Sequence, residues 1–225
     1  MIPRSLKALY YKVMRLPMRC NGSFYRRLRA PRDGVVRVHL GPGRERYIDK
    51  WINVDANLFG TKIDVWADLR NPLPFPDASV DAFYSHHVVE HLPEDLLPFH
   101  FAQMHRCLKP GGVIRIAGPD ADVAMRKYLE KDHSWFGDWP VSRKSIGGRF
   151  SNFVLCRGEH LSILTTSYLR ELMDDAGFVN PHECRPTSET GRPDLIGREV
   201  LEKETLEPCA EAPFTIVVEA ERVAP

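Results

Sequence analysis

The segment ADLRNPLPFPDASVDAFYSHHVVEHL, residues 67–92, carries the pattern on which the fold assignment depends. Within it, VDAFYS (80–85) is a short apolar run typical of a buried β-strand, and it leads directly into two histidines. Residues 87–91 also match H-x-x-E-H, the pattern of inverted zinc peptidases, in which two histidines on one face of a helix bind a metal. The segment therefore raises two hypotheses: a zinc hydrolase that uses His87 and His91, or a strand end that lines a different site.

Short strands alternate with helical segments along most of the chain. The predicted strands are apolar or β-branched runs at 35–40, 51–57, 63–69, 80–85, 113–118, 178–184 and 214–223. Helices are predicted around Phe101 and Met104 and over residues 167–176, with Gly177 placed as an αL cap. This alternation indicates an α/β fold with a mainly parallel sheet and helices on both faces.

The composition is that of one globular domain with a full hydrophobic core. The chain has 225 residues, of which 43% are hydrophobic. Its five cysteines are scattered without a C-x-x-C pair, which favours reduced thiols in a cytoplasmic protein over disulfides or a cysteine metal site. We expect no membrane span and no secretory signal, because no apolar run reaches the required length.

The charge is distributed unevenly. Residues 1–37 contain ten Lys or Arg and one acid, a local charge of +9, whereas the remainder has 21 basic and 29 acidic residues. A basic arm on an acidic body indicates an anionic contact, for which the alternatives are a membrane surface, a phosphorylated substrate, nucleic acid or the body itself. We expect peripheral contact with the inner face of an anionic membrane through residues 1–37, and no nucleic acid.

The arm itself has the pattern of an amphipathic helix. Leu6, Leu9, Tyr10, Val13 and Met14 recur at helical spacing, and Pro17 is predicted to end the helix. This helix either docks on the domain with its basic face in solvent or binds a membrane, and a transit peptide is a third alternative. We divide the chain into an N-terminal arm, 1–34, and a main domain, 35–225.

The loops after the first four strands carry the candidate site. In a parallel sheet, ligands bind beyond the carboxyl ends of the strands, where strand order reverses. A glycine turn at Gly41 and Gly43 lets the backbone approach a ligand closely. Asp55 is placed to accept hydrogen bonds from ribose hydroxyls, and Asp68 to accept from an exocyclic amine. These residues predict a nucleoside-shaped cofactor, and no P-loop motif is present.

Four segments together resemble a known family. HLGPG (39–43), WINVDAN (51–57), residues 67–92 and RCLKPGGVIRIAGPD (106–120) are similar to class I S-adenosylmethionine-dependent methyltransferases of the type 11 group. The likeness is greatest to a subgroup with a shortened first motif that is linked to polysaccharide biosynthesis. His39 and Glu45 depart from the pattern, since the family has an acid and a third glycine there.

The resemblance implies a Rossmann-like seven-stranded sheet of order 3-2-1-4-5-7-6 with strand 7 antiparallel. It also implies S-adenosyl-L-methionine as the cofactor. The cofactor-binding residues that it implies are Leu40, Gly41, Pro42, Gly43, Asp55, Ala56, Asp68, Leu69, Ser85 and His86.

The expected reaction is methylation of a hydroxyl oxygen on a sugar, glycan precursor or other small acceptor. An alcohol is barely ionised at neutral pH, so O-methylation benefits from a general base, and the candidates are His87, His160 and Asp120. No metal is expected, because Pro93 disfavours a continuing helix after His91 and makes the H-x-x-E-H match accidental. The alternatives are a non-catalytic cofactor-binding or scaffold protein of the same fold and, less favoured, the zinc hydrolase.

An insertion after the fifth strand, residues 121–160, is predicted to form a lid. It combines aromatic and basic side chains, which either meet a sugar and a phosphate or form a small core of their own. These residues are Tyr128, Trp135, Phe136, Trp139, Phe150, Lys127, Lys131, Arg143, Lys144 and Arg149.

Overall fold

A computed structural model describes residues 4–44, 46–59, 61–204 and 213–223 of the chain. The first three residues of the predicted arm and the last two residues of the predicted domain lie outside these ranges, as does Glu45 of the glycine turn.

A central sheet positions the strand ends. In the described part of the chain it has seven strands in the order β3-β2-β1-β4-β5-β7-β6, and β7 is antiparallel to both neighbours while the other pairs are parallel. The predicted order and the antiparallel strand are confirmed. The strands are β1 (Arg37–Leu40), β2 (Ile52–Asp55), β3 (Val65–Trp66), β4 (Val80–His86), β5 (Leu108–Pro119), β6 (Phe178–Cys184) and β7 (Thr215–Arg222).

Helices cover the sheet and extend from the strand ends. They are α1 (Arg4–Leu28), α2 (Leu97–Cys107), α3 (Ala121–Leu129), α4 (Ile146–Leu155), α5 (Thr166–Asp175) and α6 (Arg198–Leu201). Gly177 follows α5 with φ of +89°, as the sequence pattern predicts. The main core lies between the sheet and helices α2 and α5. Phe101 and Met104 of α2 and Leu172 of α5 are buried there.

The prediction that α1 ends at Pro17 is wrong, because the helix continues to Leu28. A proline inside a helix costs about 3 kcal/mol through the missing N–H and the ring clash. The second half of α1 docks on the domain and offsets this cost. Met18 is only 1% exposed, and Asn21 Nδ2 donates to the carbonyl of Trp66 at 2.7 Å.

The predicted apolar face of α1 is divided between the domain and solvent. Tyr10 and Met14 are half-buried, whereas the larger aliphatic and aromatic side chains on the other face are between 50% and 70% exposed. We call these exposed residues the apolar ridge of α1. They are Leu6, Leu9, Val13, Leu16, Phe24 and Leu28.

The chain between β1 and β2 is short, and none of its described residues forms a crossover helix. Trp51 and Ile48 pack against the sheet on this face beside Tyr84 of β4. The connection between β6 and β7 covers Trp51 and Ile48. Its Leu195 and Ile196 belong to the same hydrophobic cluster. A late segment of the chain therefore takes the place of a first helix.

A buried ion network fixes that late segment to the sheet. Arg115, on β5, is fully buried and donates from Nε and Nη2 to the carboxylate of Glu204, both at 2.8 Å. Its Nη1 donates to Glu219 Oε1 on β7 at 2.5 Å. The same carboxylates accept from the backbone N–H groups of Thr187 and Gly191. The network thus holds several parts of the β6–β7 connection against one guanidinium.

We expect Glu204→Gln to lower the free energy of unfolding by about 3 kcal/mol, because it leaves a buried guanidinium short of one charge partner. Urea unfolding followed by circular dichroism measures this loss. Glu202→Gln is the matched control. Its carboxylate pairs with Arg198 at an exposed site, and the change should stay within about 0.5 kcal/mol. Equal effects of the two substitutions would contradict the assigned role of the network.

Candidate active site

The carboxyl ends of β1, β2 and β4 lie side by side. Leu40, the last residue of β1, pairs with Val54 of β2 on one side and with Ser85 of β4 on the other. The N–H of Gly41 donates to the Val54 carbonyl at 2.8 Å, which continues this pairing into the turn. The predicted glycine turn, first acid and serine–histidine pair are therefore brought together at one edge of the sheet.

The glycine turn requires glycine for two reasons. Gly41 has φ of +70°, and a Cβ atom there would lie 2.3 Å from Cγ2 of Val88. Gly43 has φ of +57°, but a Cβ atom at this position would meet nothing within 4 Å. Pro42 stands between them in the turn. The turn is thus packed against the loop after β4 at its first glycine and borders open space at its second.

Asp55 anchors the turn to the end of β2. Its Oδ2 accepts from the N–H of Gly43 at 3.2 Å, and its Oδ1 accepts from the N–H of Asn57 at 2.8 Å. Burial raises the pKa of Asp55, and these backbone hydrogen bonds oppose the rise. The next residue, Ala56, accepts at its carbonyl from Tyr10 Oη at 2.8 Å, so α1 is attached to this loop.

Asp68 and Leu69 lie after β3, and both side chains are buried. Arg70 donates to both carboxylate oxygens of Asp68, with Nη2 2.6 Å from Oδ2 and Nε 2.9 Å from Oδ1. The guanidinium also lies over the ring of Tyr11 at 4.7 Å. Asp68 therefore already has a cationic partner, and its assignment to an adenine amine stays a prediction.

His86 ends β4 in a buried position and is bonded to Arg46 of the glycine turn. Arg46 Nη1 donates to His86 Nδ1. Because arginine only donates, the ring proton of this histidine lies on Nε2. Burial lowers the pKa of His86 well below its ordinary value, and the nearby charges of His87 and Arg46 lower it further. Sequence reasoning missed Arg46, and the only signal was its place in the basic stretch G-P-G-R-E-R.

His87 is held between two polar side chains. Its Nδ1 lies 3.1 Å from Glu90 Oε1, and its Nε2 lies 2.8 Å from Thr215 Oγ1 at the start of β7. Burial alone would raise the pKa of Glu90, but the hydrogen bond and charge of His87 bring it below the ordinary value. An ionised Glu90 accepts from Nδ1–H, so in the neutral imidazole of His87 the lone pair lies on Nε2.

The helix that the H-x-x-E-H hypothesis requires at His87 is absent, since the described chain there turns instead. His87 has φ of +53°, and only Val89–His91 form a single turn of 3-10 helix. Its two ring nitrogens are engaged by Glu90 and Thr215. His87 and His91 therefore do not share a helical face, and the H-x-x-E-H pattern does not form the peptidase site.

The two other candidate bases occupy different environments. Asp120 caps α3, because its Oδ1 accepts from the N–H of Val123 at 2.9 Å, and burial raises its pKa to about 6. His160 donates from Nδ1 to the carbonyl of Val154 at 2.9 Å, and burial lowers its pKa. Its ring lies 5.0 Å from that of His91. His160 is thus brought close to Glu90 and His91, whereas Asp120 serves the start of a helix.

The strand-end residues fit a polar cofactor. Ser85 Oγ and His86 Nε2 are buried and have no hydrogen-bond partner among the described residues. The space beside Gly43 is open, and the Gly41 turn leaves no room for a side chain. Buried polar atoms without partners are costly unless a ligand or water satisfies them. Donors and acceptors are therefore available where the sequence predicts the cofactor.

Comparisons with known proteins agree with this geometry. Residues 25–116 match a family model described as a methyltransferase domain. This match contains β1 to β4, the glycine turn, Asp55, Ser85 and much of β5. The findings support a class I S-adenosylmethionine-dependent methyltransferase. Predictions of the enzyme class and of S-adenosylmethionine as cofactor are confirmed.

Solved structures share the fold at low identity. A methyltransferase from Mesorhizobium loti is 19% identical with a TM-score of 0.51, over 87% of this chain and 95% of that one. A methyltransferase from Thermotoga maritima is 15% identical with a TM-score of 0.50, over 97% and 96%. Phosphoethanolamine N-methyltransferase 2 of Haemonchus contortus, in complex with S-adenosyl-L-methionine, is 12% identical with a TM-score of 0.51, over 94% and 52%. No curated protein matches the sequence.

Proposed function

We propose that this methyltransferase transfers a methyl group to a hydroxyl oxygen of a sugar, a glycan precursor or another small acceptor. The observation that carries the proposal is the alignment of Glu90, His87 and Thr215 at the end of β4. Bound S-adenosylmethionine supplies the electrophilic methyl group. The residues of this chain then orient the acceptor, exclude water and remove the hydroxyl proton.

His87 is the proposed general base. Glu90 accepts from its Nδ1–H and stabilises the imidazolium that forms when Nε2 takes a proton. Nε2 faces the Thr215 hydroxyl at 2.8 Å, and an acceptor hydroxyl would take the place of that hydroxyl. His160 and Asp120 are less suited to this step, because His160 has no carboxylate at Nδ1 and Asp120 caps α3.

The cofactor is proposed to lie across the strand ends. Gly41 and Gly43, with Leu40 and Pro42, would border its methionine part, and Asp55 with Ala56 its ribose. Asp68 and Leu69 would border the adenine, and Ser85 and His86 the sulfonium side. Arg46 is added to this set, because its guanidinium already reaches His86 and can pair with the cofactor carboxylate.

The insertion 121–160 supports a ring-shaped acceptor such as a sugar. Trp135 and Phe136 are 5% and 2% exposed and form a small core with Ala124, so part of the insertion is structural. Tyr128 is 40% exposed and Trp139 is 75% exposed. Exposed aromatic faces stack on sugar rings. This supports the assignment to polysaccharide biosynthesis as the narrower proposal.

Replacing Asp55 tests the cofactor assignment without an acceptor. We expect Asp55→Asn to weaken binding of S-adenosylmethionine about tenfold, because a charged acceptor for ribose hydroxyls becomes neutral. Isothermal titration calorimetry measures the affinity. Asp49→Asn, at an exposed aspartate 3.7 Å from Lys62, is the control and should bind as the wild type does. Unchanged affinity of Asp55→Asn would mean that the ribose lies elsewhere.

Replacing His87 tests the reaction. We expect His87→Gln to lower kcat about 100-fold or more on any hydroxyl acceptor that the wild type methylates, while the cofactor affinity stays within about twofold. Release of S-adenosylhomocysteine over a panel of sugars, nucleotide sugars and lipid-linked glycans measures the rate. His182→Gln, on β6, is the control. A full rate in His87→Gln would remove the general base, and a wild type inactive on every acceptor would favour the non-catalytic alternative.

Helix α1 supports peripheral contact with an anionic membrane. Its sequence contains seven Lys or Arg and no acid, and the apolar ridge runs along the side away from the domain. Such a helix lies in a membrane interface with its apolar side chains inserted and its basic side chains on anionic headgroups. No helix among the described residues is long and apolar enough to span a bilayer. The proposed location is the cytoplasm, with peripheral contact to the inner face of the membrane.

Vesicle sedimentation tests this contact. We expect the protein to sediment with phosphatidylcholine vesicles that contain about 30% phosphatidylserine, and to be released by high salt. The double substitution Val13→Asp and Leu16→Asp on the ridge should abolish sedimentation. Val223→Asp, at an exposed valine remote in sequence from α1, is the control. Equal sedimentation of the ridge variant, or none of the wild type, would contradict membrane binding.

A further inference from the structure

Three side chains beside His87 form a cluster with the composition of a metal site. Glu90, His91 and His160 each offer a ligand atom, and these atoms lie within 4.8 Å of one another. Two residues come from the 3-10 turn after β4, and the third comes from the loop after α4. The carbonyl of Glu90 accepts from the N–H groups of Leu161 and Ser162 at 2.7 and 3.2 Å. These bonds hold the loop against the turn.

Both histidines are oriented as metal ligands. His91 Nδ1 lies 2.8 Å from the carbonyl of Glu159, and His160 Nδ1 lies 2.9 Å from the carbonyl of Val154. A carbonyl oxygen only accepts, so each Nδ1 carries the proton and each Nε2 keeps its lone pair. A metal-binding histidine typically donates its other N–H to such a carbonyl, which fixes the ring and raises its basicity.

One oxygen of the Glu90 carboxylate is available to a ligand. Glu90 is 1% exposed, its Oε1 is engaged by His87, and its Oε2 has no hydrogen-bond partner among the described residues. Glu90, His160 and Ser162 line a cavity of about 10 Å³, and Ser162 Oγ is also buried without a partner in the described chain. That volume is roughly what one small occupant with polar partners needs.

We propose that Glu90, His91 and His160 bind one divalent transition-metal ion of the zinc class. Two imidazoles and one carboxylate are a common zinc ligand set that leaves a coordination position open. Tetrahedral ligands about 2.1 Å from zinc are about 3.4 Å apart, so the cluster contracts slightly on binding, and the exposed His91 ring can move. The sequence analysis expected no metal, so this proposal departs from it. Its argument concerned His87 with His91, which is a different pair.

A second cluster of ligand types is less suited to a metal. His182, Cys184 and Glu219 also lie close together. The Glu219 carboxylate is already bonded to Arg115 and to the N–H of Gly191. Burial raises the pKa of the Cys184 thiol to about 12, which disfavours the thiolate that a metal binds. His182 therefore provides an internal control.

The proposed ion would share Glu90 with the general base. Oε1 lies 3.1 Å from His87 Nδ1 and 4.0 Å from His91 Nε2, and Oε2 has no partner among the described residues, so the carboxylate would bridge the general base and the metal. The open position would take an oxygen of the ligand that enters the site. The metal proposal does not rest on methyl transfer, because binding of the ion is measured in the absence of cofactor and acceptor.

Zinc binding to the purified full chain tests the proposal. The chain is stripped with chelator, titrated with ZnCl₂ by calorimetry, and assayed for retained zinc by mass spectrometry after gel filtration. One equivalent is expected. His91→Ala and His160→Ala should each weaken binding at least tenfold, whereas His182→Ala should bind as the wild type does. Cobalt substitution should give visible absorption that the first two variants lose.

Two results of the zinc experiment would overturn the proposal. No retained zinc in the wild type overturns the proposal, as does loss of zinc in His182→Ala with retention in His160→Ala. Circular dichroism of each variant verifies that a loss of zinc is not a loss of fold. His91 is an exposed ring, so His91→Ala tests the site at a position where truncation leaves the core intact. Failure of S-adenosylmethionine binding, by contrast, would contradict only the proposed function.

Discussion

The burial of Arg115 is the constraint on which this fold depends. A guanidinium removed from water requires compensating charges, and here they come from Glu219 on β7 and Glu204 in the β6–β7 connection. Arg115 lies on β5 in register with Tyr84 of β4 and Glu219 of β7. The chain between β1 and β2 is too short to cover the face of the sheet that carries Arg115 and Tyr84. The β6–β7 connection covers that face instead. The ion network holds the β6–β7 connection in one position on the sheet.

The site likewise takes several of its residues from one short stretch of chain. The end of β4 supplies Ser85 and His86 toward the cofactor edge, and the next turn supplies His87 and Glu90. Glu90 is bonded to His87 through its side chain and to the loop after α4 through its carbonyl. A single buried glutamate thus links the strand end to the loop after α4.

Apolar runs and turn residues are local signals, and they predicted the strands and the strand-end positions of Asp55 and Ser85. The order of the strands was implied by the family resemblance. It could not predict contacts between distant residues. Arg115 and Glu204 are 89 positions apart, and His91 bonds to the carbonyl of a residue 68 positions away. The continuation of α1 through Pro17 was missed for the same reason, since docking of later residues offsets a local penalty.

Helix α1 has one face that contacts the domain and one face that is exposed, and the sequence pattern did not distinguish them. Its inner face bonds to Ala56 through Tyr10 and stacks on Arg70 through Tyr11, beside the residues assigned to ribose and adenine. Its outer face is the apolar ridge. If the cofactor favours docking of α1, and a membrane binds the ridge more strongly when α1 is docked, then the cofactor must strengthen membrane binding and the membrane must strengthen cofactor binding by the same free energy, since coupling between two sites is reciprocal. Under the proposed membrane contact, the geometry of this one helix would link cofactor occupancy to location at the membrane.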